Sequence, residues 1–133
     1  MTHWAEDYIG HPWSNGACGN GAYDCHGLVR AVYRDRLGID LPVVNANALH
    51  ALSVVRAMRA YDYSEWDQIE RPELDFDVVQ MSVSRKPHHV GVYLTIDGGG
   101  VLTSVEGAGV VFQTLSSLRS HGWNIINCYR RKA

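Results

Sequence analysis

The sequence is poor in cysteine, has no long hydrophobic run and carries no surplus of either charge, and each scarcity removes a class of function. Its 133 residues hold Cys18, Cys25 and Cys128. An odd count fits a reduced compartment better than a disulfide framework and leaves at least one thiol free. Twelve Lys plus Arg against fourteen Asp plus Glu give a net charge of -2, so no basic excess exists to neutralise a phosphate backbone, and nucleic acid is not an expected partner. No run approaches the roughly 18 apolar residues of a membrane span, so membrane insertion is not expected. Glu6 and Asp7 stand close behind Met1, unlike the basic start and apolar middle of a signal peptide. The expectation is synthesis in the cytoplasm without a signal peptide. Internal repeats, low-complexity tracts and flexible linkers are also missing, which points to a single domain over residues 1–133. A chain of this size buries roughly 68% of its unfolded surface, enough for a core without metal or disulfide staples.

What is present reads as helices first and strands later. Thr2 can cap a short helix to about Ile9, ended by Gly10, and the glycine-rich stretch from His11 to Tyr23 is loop. Asp24 is placed as an N-cap. From Cys25, the residues Leu28, Val29, Val32, Tyr33 and Leu37 recur with helical spacing, and Gly38 is a natural stop. Asn45 can cap a second amphipathic helix to about Ala60, and Tyr61 to Phe76 reads as a polar, aromatic connection. Five short runs then follow: Asp77 to Val83, His89 to Thr95, Gly100 to Val105, Gly109 to Thr114 and Trp123 to Arg130. They are rich in Val, Ile and aromatics and separated by turn residues, so they predict antiparallel strands. The expected class is α+β, with N-terminal helices packed on an antiparallel sheet of about five strands.

Cys25 and His89 carry the chemistry. At the first helical position, unpaired backbone N–H groups and the positive end of the helix dipole favour a thiolate, so a lowered pKa is expected for Cys25. Cys25 shares the inward face of its helix with Leu28 and Val29. His89 opens a strand whose alternation puts His89, Gly91 and Tyr93 on one side, and Gly91 leaves a gap for another backbone or a substrate. A base at a strand end near a thiol at a helix start is the geometry of an activated nucleophile. Cys18 and Cys128 read as packing or surface residues. A metal site from Cys25, His26, His88 and His89 is not expected, because adjacent residues point apart and no C-x-x-C or H-x-x-x-H spacing exists.

Tyr8-Ile9-Gly10-His11-Pro12-Trp13, Asp24-Cys25-His26-Gly27-Leu28-Val29, Asp77-Val78-Val79, His88-His89-Val90-Gly91-Val92-Tyr93-Leu94 and Tyr129-Arg130 follow in that order. The whole pattern resembles the NlpC-type cell-wall cysteine peptidases, in their phage and prophage tail-associated branch. The resemblance implies a papain-like fold, no cofactor, and hydrolysis of amide bonds in peptidoglycan stem peptides, typically from γ-D-glutamate to the diamino acid. Cys25 matches the nucleophile and His89 the base. Thr103 stands where a His usually orients the base, while Ser104 would face the other side and Glu106 could reach in from a turn. Trp13 replaces a frequent Tyr and Phe76 a frequent Gly. Tyr8, Trp13, Asp24 and His88 are candidate substrate-binding residues. The resemblance further implies phage tail proteins as partners, a virion tail tip as location, and, as an alternative function, a tail-assembly protein of the same fold with weak or no activity.

Overall fold

The computed structural model describes residues 3–44, 51–83 and 89–132. The first helical segment is shorter than expected: a 3-10 turn over Trp4–Asp7, in which the His3 ring accepts the N–H of Ala5. Thr2 lies outside the described residues. The glycine-rich loop carries a small hairpin, β1 (Cys18–Gly19) and β2 (Ala22–Tyr23), and runs straight into α1 (Cys25–Val32). Asp24 is the N-cap. One of its oxygens accepts the Gly27 N–H at 2.6 Å and the other the Gly16 N–H at 2.8 Å, which fastens the loop to the helix start. Glycine is needed at position 27, because a Cβ there would collide with the Ala17 carbonyl.

The helical pattern that reaches Leu37 is not one regular helix. At Tyr33 it widens into a π turn over Tyr33–Leu37, which Gly38 ends at a φ of 67°. Helix α2 follows at Ala51–Ala60, and its expected cap, Asn45, lies outside the described residues.

Six strands, rather than about five, build the main sheet. They are β3 (Trp66–Ile69), β4 (Val78–Ser82), β5 (His89–Leu94), β6 (Gly100–Val105), β7 (Gly109–Thr114) and β8 (Asn124–Arg131). Their order is β3-β8-β4-β5-β6-β7 and every pairing is antiparallel. The additional strand, β3, falls in the segment read as a connection. It is a four-residue edge strand that exposes Asp67 and Gln68, so no apolar alternation announces it. A second element without a sequence signal is α3 (Leu115–Ser120), six residues capped by the Thr114 hydroxyl.

Helix α1 covers one face of the sheet, where Leu28, Val29 and Val32 share a core with Val90, Val92 and Leu102. Val79, Met81, Tyr93 and Val101 pack on the other face with Leu118 from α3. Two of the sequence motifs tie the sheet together. Asp77 is buried, and both its oxygens are held by Arg130, at 2.9 and 2.8 Å, while Glu73 and Leu74 donate their N–H groups to it. Burial alone would raise the Asp77 carboxyl; these partners outweigh it and hold the group below its ordinary value. Phe76, where glycine is frequent in the resembled family, has a φ of 75°. Its ring stacks on Trp4 at 5.5 Å and its carbonyl accepts the Tyr33 hydroxyl, contacts that hold a backbone conformation costing about 1 kcal/mol or more for a residue with a side chain.

Candidate active site

Because the loop hands the chain to α1 at Asp24, Cys25 begins the helix against β5, and its side chain is only 4% exposed. Three backbone N–H groups point at the sulfur, from Val90, His26 and Cys25 itself, and each favours the thiolate. They do not win. Burial, and after it the charge of Asp24, pushes the thiol up to about 12, the reverse of the lowering expected from the helix start. A helix terminus offers a fraction of a charge, whereas withdrawal from water penalises a whole one.

Val90 connects the sulfur to the imidazole through the main chain, since it follows His89 directly. His89 is buried, and its Nε2 lies 2.7 Å from the Thr103 hydroxyl, which donates to the Val90 carbonyl at 2.8 Å. A hydroxyl has a single proton. With that proton given to the carbonyl, Thr103 accepts from the imidazole, so the ring carries its proton on Nε2 and keeps a lone pair on Nδ1. This is the tautomer a base requires.

The three candidates for the orienting residue now separate. Thr103 touches His89. Ser104 donates instead to the Tyr23 carbonyl at 2.7 Å, on the helix side of the sheet, and Glu106 is exposed in the turn after β6. The gap beside Gly91 is filled by a neighbouring strand rather than left open. A Cβ there would clash with the Val101 side chain and come within 2.9 Å of the Leu102 carbonyl and 3.1 Å of the Thr103 Cβ.

The candidate substrate-binding residues are not gathered in one place. Tyr8 is buried beside Trp4 and Tyr23 and donates its hydroxyl to Asp35 at 2.8 Å, so it serves the fold. Trp13 is half-buried and pairs by a β-bridge with Tyr23 in the loop that leads to Cys25. Asp24 is occupied as the cap, and His88 lies outside the described residues. Two further residues stand near the site: Trp123, which the sequence reading passed over, and His26, which it weighed only as a metal ligand. Trp123 lies against the His89 ring with centroids 5.0 Å apart and planes at 38°. His26 has a buried Nε2 with no hydrogen-bond partner among the described residues, and burial pushes its imidazole down to about 4, so the ring is neutral. Adjacency to Cys25 was the available signal for His26; nothing local marks Trp123, which reaches the imidazole only through the turn after α3.

Among the described residues, no group of three or more His, Cys, Asp or Glu is placed to hold a metal ion. No helix among them is long and apolar enough to cross a membrane.

A helix-tip cysteine beside a strand-borne histidine can be compared with known proteins. Residues 10–127 match the model of the NlpC/P60 family. The chain belongs to the NlpC/P60 family. Members of this family are Cys-His cysteine peptidases, and the family implies peptidoglycan as substrate. Solved structures agree on the fold. NlpC2 from Trichomonas vaginalis superposes with a TM-score of 0.64 at 18% identity, covering 96% of this chain and 44% of that one. An NLP/P60-family protein similar to lipoprotein from Staphylococcus aureus gives 0.64 at 23% identity, with 97% and 39% covered. The NlpC/P60 domain of the peptidoglycan hydrolase SagA gives 0.60 at 18% identity, with 95% and 92% covered. The chain thus spans less than half the length of the first two and nearly all of the SagA domain. No curated protein matches it. The fold is the α+β, papain-like fold of the NlpC/P60 family, an N-terminal helix on a six-stranded antiparallel sheet.

Proposed function

We propose that this NlpC/P60 domain is a cysteine endopeptidase that hydrolyses amide bonds in peptidoglycan stem peptides, at the bond from γ-D-glutamate to the diamino acid. The observation that carries the reading is the Thr103 hydroxyl, 2.7 Å from Nε2 of His89 and 2.8 Å from the Val90 carbonyl, an arrangement suited to a proton on Nε2, while the neighbouring Val90 N–H points at the Cys25 sulfur. The buried thiol is neutral at rest. Nδ1 of His89 takes its proton as the sulfur attacks the amide carbonyl, which forms a carbon–sulfur bond and a tetrahedral oxyanion. The backbone N–H of Cys25, at the open end of α1, stabilises that oxyanion. The imidazolium then protonates the leaving amine, the carbon–nitrogen bond breaks, and a thioester remains. Water, deprotonated by the same Nδ1, releases the acyl product and restores the thiol.

The phage or prophage tail setting rests on the motif resemblance. The thiol pushed up to about 12 favours a second reading, a tail protein of the same fold with weak activity. Digestion of purified sacculi separates the two. The peptidase reading expects soluble muropeptides with wild type and none with Cys25→Ala; equal release, or none with either, overturns it.

A further inference from the structure

Trp123 takes no part in the proposed bond-making steps, yet its ring lies against the imidazole that carries them. The chain delivers it there through α3, the six-residue helix that no sequence rhythm announces. The Thr114 hydroxyl accepts the Ser117 N–H at 3.3 Å and starts that helix. Two main-chain bonds close its far end, from the Gly122 N–H to the Arg119 carbonyl at 3.1 Å and from the Trp123 N–H to the Leu118 carbonyl at 3.0 Å. Together they form a Schellman closure, which calls for a left-handed residue, and Gly122 supplies it at a φ of 83°. Such a closure turns the following side chain back onto the helix, and Trp123 packs on the core that contains Leu118. Fastened through its own N–H, the residue meets His89 with ring centroids 5.0 Å apart and planes at 38°, nearer to stacked than to perpendicular.

His89 has to become a cation during the reaction, in a place where burial opposes charge. The Thr103 hydroxyl suits a resting proton on Nε2, but it is neutral and offers the imidazolium only a dipole. An indole has the strongest π face of the aromatic side chains and attracts a cation within about 6 Å of its centroid, most strongly where water is excluded. The observed 5.0 Å falls inside that reach. Around the ring, β4 pairs Met81 with His89 and β6 contributes Thr103, and neither carries a charge. The start of α1 brings Cys25 and His26, both kept neutral by burial, and Asp24, whose carboxylate accepts the Gly16 and Gly27 N–H groups. Arg119 and His121 at the end of α3 are exposed, and Arg85, Lys86 and His88, which precede β5 in the sequence, lie outside the described residues. A substitution at position 123 leaves all of these groups in the protein, so a change in His89 that follows aromatic character reports the indole.

We propose that Trp123 is a positioning residue for the reaction, its aromatic face stabilising the protonated form of His89 and so strengthening the base that takes the Cys25 proton. That role rests on the peptidase reading, and it gives α3 a task besides covering the sheet: carrying the indole to the imidazole.

The test compares Trp123→Phe, which keeps an aromatic face, with Trp123→Leu, which keeps apolar bulk without one. His89 is titrated by nitrogen NMR in the Cys25→Ala background, and hydrolysis of purified muropeptides is followed against pH with the sulfur intact. Trp123→Leu is expected to lower the proton affinity of His89 about tenfold and kcat about three- to tenfold, with KM within about twofold. A less stabilised imidazolium loses its proton at lower pH, so the acid limb of kcat/KM moves to lower pH while the plateau falls. Trp123→Phe should recover most of both. A purely structural loss would scale the profile down and leave its midpoint in place. Protein grown with fluorinated tryptophan covers the case in which Trp123→Leu does not fold, because fluorine drains the ring face and keeps its shape. The His89 titration should move to lower pH with that label, and the same label in Trp123→Phe protein should leave it unmoved. Hydrolysis by wild type together with a midpoint indifferent to substitution or fluorination, or with Phe no better than Leu, overturns this role while the peptidase reading stands. A His89 titration that moves as expected in a protein that hydrolyses nothing removes the peptidase reading, and the role in catalysis with it.

Discussion

Cys25 and Cys128 are both buried, 4% and 1% exposed, and burial raises both thiols, to about 12 and about 11. By accessibility and acidity alone the two are nearly the same residue. They differ in what surrounds the sulfur. Cys25 ends a loop and begins a helix, so three amide N–H groups converge on it and the imidazole-bearing strand passes beside it. Cys128 lies inside β8, between β3 and β4, where neighbouring main chains pair with one another across the sheet and the sulfur packs against Val79 and Met81. Asp77 adds an unfavourable charge there. The proposed nucleophile sits where the ladder of backbone groups is interrupted, and the packing residue where it is complete.

The sharpest way to break this contrast is to remove each sulfur in turn. Cys25→Ala should lower muropeptide hydrolysis by at least about a thousandfold, while Cys128→Ala leaves it within about twofold and destabilises the fold by about 1 kcal/mol through lost packing. Chromatographic product analysis and urea unfolding read the two effects; comparable activity losses would erase the distinction. Next in size is the hydroxyl that sets the imidazole. Thr103→Val, nearly isosteric, should cost roughly 10- to 100-fold in kcat with unfolding unchanged within about 1 kcal/mol, and Thr103→Ser should recover most of it. Loss of activity in proportion to loss of folded protein would make Thr103 a packing residue only.

A smaller difference should appear in alkylation at neutral pH. Mass spectrometry of iodoacetamide-treated protein should show Cys25 labelled about tenfold faster than Cys128, because under the proposed mechanism Nδ1 of His89 takes the proton of Cys25, whereas the charge of Asp77 opposes ionisation of Cys128. Equal rates would mean the amides and the imidazole confer nothing. The least effect concerns His26, the neighbour that Cys128 lacks. Its folded value of about 4 lies below the ordinary 6.5, so the unfolded chain binds the extra proton first. Stability is therefore full above about pH 6.5 and falls as pH drops through about 4, by about 2 kcal/mol or less from this residue. His26→Gln should remove that part of the slope in unfolding curves, and Asp77 should leave a further decline as pH falls from the ordinary carboxyl range through its lowered value.

The two cysteine environments also mark what could be read from the residues in advance. Asp24 as a cap, α1 beginning at Cys25 and β5 beginning at His89 follow from local period and capping chemistry, and they suffice to bring a thiol and an imidazole to the same part of the fold. The acidity of Cys25 could not be read this way, because it depends on how completely β5 covers the helix tip. Likewise β3 escapes notice because an edge strand with Asp67 and Gln68 in solvent has no apolar rhythm, and α3 because six residues hold too little period. The choice of Thr103 over Ser104 required the pairing of β5 with β6, in which Gly91 lets the neighbouring strand come close. Tyr8 is the opposite case: the motif offered it as a candidate for substrate binding, and only the fold shows its hydroxyl held by Asp35.

The Val90 carbonyl, which receives the Thr103 proton, belongs to the main chain and is untouched by any exchange of side chains. The direction of that hydroxyl, and through it the ring nitrogen that holds the proton, is therefore inherited from the course of β5. A designer could swap the third residue among small alcohols and keep the polarity of the relay, whereas a one-residue slip of that strand would turn His89 to the other face and break it without altering a single functional group.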